Sequence, residues 1–139
     1  MNPSFTSHKA LPLAGRMLVA LLFIPAGLSK LAGFAAVVGY IASKGVPLPA
    51  LCAVIAIAIE LGLGLLLLTG FKARWAALGL AIFVVVVTPI FHNFWALPPE
   101  QVLQQQQAFF KNLAIMGGLL ALASFGPGAW SLDGRRGEG

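Results

Sequence analysis

The sequence predicts an all-α integral membrane protein: a four-helix bundle with a short interfacial helix between spans one and two. Composition and the lengths of the apolar runs predict it. Of the 139 residues, 59% are hydrophobic and only 9% charged, where a soluble domain carries roughly 25% charged residues. Mean hydropathy is +0.92. The apolar residues gather in four runs, each close to the roughly 20 residues that cross about 30 Å of hydrocarbon at about 1.5 Å per residue. A single membrane domain, residues 1–139, accounts for the length.

Span one is expected at about Leu11–Leu31, with Arg16 and Lys30 near its two ends. A retained helix is expected here rather than a cleaved leader, because Lys30 follows the apolar run directly and no clean A-x-A site precedes it. Between spans one and two, Phe34, Val37, Val38 and Ile41 recur at helical spacing until Gly45-Val46-Pro47 breaks the pattern. That segment reads as a short helix lying in the interface or tucked against the bundle. Span two is expected at about Pro49–Thr69, and the tight turn Gly70–Arg74 leads into span three, about Arg74–Phe91. Span four, about Asn112–Phe125, is short by itself. Pro98-Pro99-Glu100 is a good helix start, since Pro suits the first position and an acid suits the positive end of the dipole. Residues 99–111 therefore read as an amphipathic, extramembrane extension of span four, and Gly126-Pro127-Gly128 ends the helix.

Net charge is +5, but the basic residues sit at the ends of apolar runs, which describes topology rather than a nucleic-acid surface. Lys9, Arg16, Lys72, Arg74, Arg135 and Arg136 fall on one side of the membrane, and Lys30, Lys44 and Lys111 on the other. The imbalance predicts that both termini are cytoplasmic. The single cysteine, Cys52, excludes an intrachain disulfide and any C-x-x-C exchange pair. One His at the end of span three, with one Cys and one buried acid on span two, make no metal-ligand spacing, so no metal and no haem are expected.

The candidate chemistry centres on Glu60. It is the one charged residue of the apolar stretch Cys52–Leu68, and a carboxylate at that depth costs about 2.5–3.5 kcal/mol on insertion scales. Such a residue needs a cationic or hydrogen-bonding partner. It is either an anchor that fixes helix register or a group that handles a proton or a ligand. Lys30 is the preferred partner, and Arg16 the alternative. His92, Asn93, Lys111 and Asn112 fall in the same half of the membrane as Lys30, which predicts an outer-facing pocket with Glu60 at its floor. Glu60 and His92 are the candidate catalytic residues. Lys30, Asn93, Trp95, Lys111, Asn112 and Arg16 are the candidate ligand contacts. His92 beside Phe94 and Trp95 suits a proton acceptor next to an aromatic ring, or equally a headgroup-level belt.

These residues fall in blocks that resemble the DoxX family of small bacterial membrane proteins. The blocks are Arg16-Met17-Leu18, Pro25-Ala26-Gly27-Leu28-Ser29-Lys30-Leu31, Gly45-Val46-Pro47, Glu60-Leu61-Gly62, Gly70-Phe71-Lys72-Ala73-Arg74, Phe91-His92-Asn93-Phe94-Trp95, Phe110-Lys111-Asn112-Leu113-Ala114 and Trp130-Ser131-Leu132-Asp133. Their order across four spans carries the likeness. The resemblance implies a four-helix protein of the bacterial inner membrane, associated with respiratory or sulfur-compound oxidoreductases. Quinone is the implied small molecule, with no covalently bound cofactor. The expected partners are the lipid bilayer, an oxidoreductase protein and further copies of the chain. Two other functions fit the residues: a small proton-coupled transporter, and a non-catalytic scaffold.

Overall fold

The computed structural model describes residues 3–137, with side chains described from His8 onward. Six α-helices follow in order: α1 (Pro3–Ala32), α2 (Phe34–Ser43), α3 (Pro49–Thr69), α4 (Ala73–Phe91), α5 (Pro99–Phe125) and α6 (Leu132–Arg135). A single 3-10 turn, Phe94–Ala96, lies between α4 and α5. Among the described residues no strand occurs, and four helices are long and apolar enough to cross a membrane: His8–Ala32 of α1, α3, α4 with its following turn, and α5. The stretches 99–111 and 112–125 form one continuous helix of 27 residues, the extension of span four read from the sequence. Its entry, Pro99 followed by Glu100 in the first turn, fits the start read from the sequence.

The bundle is built by neighbours. α1 lies along α3, α3 along α4, and α4 along α5, while α2 rests mainly on α3. The shared core is small-residue rich: Phe23, Leu67, Ala73, Ala77, Leu80, Ala81, Val84 and Leu119. Ala at 73, 77 and 81 repeats every four residues on one face of α4, which lets neighbouring helices approach closely where the surrounding lipid is as apolar as the side chains. Large apolar residues such as Leu21, Val54, Ile82, Leu120 and Phe125 point outward, the arrangement expected where lipid is the solvent.

Both ends of the α1–α3–α4–α5 bundle are finished by polar contacts. At the end that carries the termini, Gly70 turns the chain from α3 to α4 at φ 71°. A Cβ at Gly70 would come within 2.3 Å of the Ser131 Cβ, so this turn admits only glycine without movement. Asp133 of α6 reaches the first turn of α4, its Oδ1 accepting from Lys72 N and its Oδ2 from Ala73 N, each at 2.8 Å. Asp133 N in turn donates to Gly70 O at 2.9 Å. A carboxylate is thus supplied from sixty residues away to satisfy N–H groups that an α-helix leaves open at its start.

At the opposite end, α1 stops short. Gly27 of α1 is level with Glu60, since a Cβ on Gly27 would lie 3.3 Å from the Glu60 Cβ. From there α1 runs only to Ala32, while α3 reaches back to Pro49. At about 1.5 Å per residue, α3 overreaches α1 by about 9 Å. α2 lies against this overreaching part of α3 and buries Ile41.

Candidate functional site

Glu60 is 5% exposed, on the α3 face that also buries Ala53, Ile57, Gly64 and Leu67. Lys30, two residues from the end of α1, sends its Nζ to 3.0 Å from both carboxylate oxygens. The side chain of Lys30 is about one-third exposed and that of Glu60 is nearly covered. The pair is the one preferred from the sequence, and the shortness of α1 explains it. The lysine stem starts near a helix end and leans back along apolar surface to reach the acid.

The ion pair lies in the wall of a cavity of about 600 Å³. Its other walls come from α2 (Val37, Tyr40, Ile41), from Cys52, Ile55, Ala56 and Ile59 of α3, and from α4 between Gly79 and Phe91. Phe23 and Phe83 add aromatic surface, and His92 with Asn112 adds polar groups. The lining is apolar except for a few convergent polar side chains, the make-up of a small-molecule site.

His92 caps the C-terminus of α4. Its Nδ1 lies 2.8 Å from Gln105 Oε1 on α5. With the amide oxygen as acceptor, a neutral His92 carries its proton on Nδ1 and keeps the Nε2 lone pair. Asn112, seven residues after Gln105 and so on the same face of α5, donates from Nδ2 to Thr88 Oγ1 at 3.0 Å. Thr88 passes the bond on to Val84 O at 2.6 Å. These bonds tie α4 to α5 beside the cavity.

Four other residues singled out in the sequence do not join this wall. Asn93 stands just outside it, its Oδ1 accepting from Lys44 Nζ at 3.4 Å. Trp95 is 61% exposed and packs edge-on against Phe94 and Phe109, with centroids 5.3 and 5.9 Å away. Lys111 lies on the outer surface of α5 with Gln106, Gln107 and Phe110. Arg16 is at the far end of the bundle, so it does not serve as Glu60's alternative partner. It is 2% exposed, and its guanidinium donates to Leu68 O (3.3 Å), Pro127 O (2.6 Å) and Trp130 O (2.8 Å). Its charge is spent on main-chain carbonyls: one in the last turn of α3 and two in the loop between α5 and α6, groups that no regular structure satisfies.

Sequence reasoning missed Tyr40, Phe91 and Gln105 as parts of the site. Gln105 carried a signal, its seven-residue spacing from Asn112. Tyr40 carried only its being the single tyrosine of the chain.

The comparisons with known proteins agree with this architecture. The DoxX family model matches residues 11–93. Inner membrane protein YphA of Escherichia coli (strain K12) is 38% identical over 129 residues, covering 93% of this chain and 92% of that protein. Inner membrane protein YqjF of the same organism is 40% identical over 124 residues, covering 87% of this chain and 88% of that protein. A surfeit locus protein 4 homolog of Schizosaccharomyces pombe is 38% identical over 69 residues, 48% of this chain and 23% of that protein. No solved structure matches the chain. Four apolar spans, a family match over more than half the sequence and two relatives matched over nearly their whole length place this chain in the DoxX family.

Proposed function

We propose that this chain is an inner-membrane partner of an oxidoreductase system that binds a quinone-like molecule in the cavity beside Glu60. One observation carries the reading: an ion pair, Lys30–Glu60, in the wall of an otherwise apolar cavity of about 600 Å³. That volume is in the range of small-molecule sites, about 300–1,000 Å³. The aromatic rings of Phe23, Tyr40, Phe83 and Phe91 suit a flat ring, and the amide of Asn112 and the ammonium of Lys30 suit a carbonyl oxygen. Bound quinone would supply the electron chemistry. The protein's share is to exclude water, orient the ring and hold a proton at the Glu60 carboxylate or the His92 imidazole. With both termini cytoplasmic, the cavity opens toward the outer half of the bilayer.

The test is to purify the native protein and identify its co-purifying lipophilic molecules by mass spectrometry, beside Glu60→Gln. A quinone on the native protein and its loss from the variant is the expected result. Phospholipid alone on both proteins, or an equal quinone load on both, overturns the reading. The same ion pair also fits a small proton-coupled transporter working as a homo-oligomer. Substrate-driven proton release from liposomes, abolished by Glu60→Gln, would select that reading.

A further inference from the structure

We propose that α2 is a hinged cover over the cavity, and that a membrane-dissolved ligand enters between α2 and the end of α4. The proposal concerns access to the site described above, and so rests on that cavity receiving a ligand. The architecture first requires a cover. Because α1 ends at Ala32 while α3 continues about 9 Å further, the bundle lacks a wall on that side. α2 fills the gap, and Val37, Tyr40 and Ile41 are the residues it sets against the cavity. Without α2, the Lys30–Glu60 pair would face lipid.

The attachments of α2 are uneven. It is held to α3, where Ile41 is buried. Toward the end of α4 it makes a ring contact and a hydrogen bond, both at the rim. The Tyr40 and Phe91 rings meet with centroids 5.4 Å apart. Lys44 Nζ reaches Asn93 Oδ1 at 3.4 Å, a long bond from a mobile stem, and also lies 5.7 Å from the Tyr40 ring centroid. Tyr40 is half exposed. Contacts of this kind are individually weak, so parting them is a frequent thermal event rather than an unfolding.

Both ends of α2 supply pivots. At its start Gly33 separates it from α1 with no side-chain cap. At its end Gly45 has φ 75°, and a Cβ there would meet nothing within 4 Å. A short segment that hangs between two such points swings more readily than the long helices beside it. The swing parts Tyr40 from Phe91 and opens a lateral slot into the apolar lining. A slot that faces lipid selects ligands that partition into the bilayer.

The test needs a thiol inside the cavity. Ala56 lines it one turn deeper than Cys52, so Ala56→Cys in a Cys52→Ser background gives a single internal reporter. Its alkylation by N-ethylmaleimide is followed in nanodiscs, with and without Tyr40→Ala, Asn93→Ala and ubiquinone-1. Tyr40→Ala is expected to speed alkylation at least fivefold and Asn93→Ala about twofold. Equal rates in all three proteins, fast or slow, overturn the cover. The ubiquinone-1 arm is separate. Protection of the thiol with rates indifferent to Tyr40→Ala leaves the binding site standing and removes the cover. Acceleration by Tyr40→Ala without protection leaves the cover and removes the quinone reading.

Discussion

The two ends of the bundle each bury charge, and they use it differently. At the end with the termini, Arg16 donates to three main-chain carbonyls and Asp133 accepts from two main-chain N–H groups. Arg74 adds bonds to Ala123 O and Ser124 O at the close of α5. Every one of these bonds ends on backbone, and together they fasten α1, α3, α4, α5 and α6. In the other half, Glu60 has one side-chain partner, Lys30, and the pair borders a cavity. A buried charge whose bonds all end on backbone is a fastening. A buried charge that borders open space is available to a ligand.

That contrast orders the expected effects of substitution, each measured as unfolding free energy in one detergent. Arg16→Met should be the most damaging, by about 3–5 kcal/mol, since it leaves carbonyls at the end of α3 and in the α5–α6 loop without a donor. A loss under 1 kcal/mol would mean that water reaches those carbonyls and that the fastening is superficial. Gly70→Ala comes next, at about 1–3 kcal/mol, from left-handed backbone and collision with Ser131. Asp133→Ala should cost about 1–2 kcal/mol, the scale of a lost helix cap. Glu60→Gln should change stability by no more than about 1 kcal/mol in either direction, because the amide carries no charge to desolvate and the Lys30 side chain, about one-third exposed, can turn its ammonium outward. A large loss at Glu60 would erase the contrast and make the acid a fastening too.

Much of this was legible in the sequence, for physical reasons that also mark where legibility ended. Four spans could be read because lipid demands long apolar runs, and Glu60 stood out because nothing else in its run is charged. Lys30 followed from level and reach. Arg16, the alternative partner for Glu60, goes elsewhere because its partners are carbonyls, which every residue has and no sequence advertises. Asp133 lies in a helix of four residues, too short for periodicity to register. The sequence-level count of basic residues also treats Arg16 and Arg74 as surface charges, although both are committed to main-chain carbonyls. The role of α2 depends on how far α1 slides past α3, a tertiary offset that no local pattern encodes.

The most direct test of the contrast is the thermal shift that ubiquinone-1 produces in three purified proteins: the native chain, Asp133→Ala and Glu60→Gln. A ligand that binds only the folded state raises its stability by mass action. The account predicts an upward shift of equal size in the native chain and in Asp133→Ala, from a lower starting Tm in the latter, and no shift in Glu60→Gln. Equal shifts in all three proteins, or a shift lost through Asp133→Ala and kept by Glu60→Gln, would contradict it.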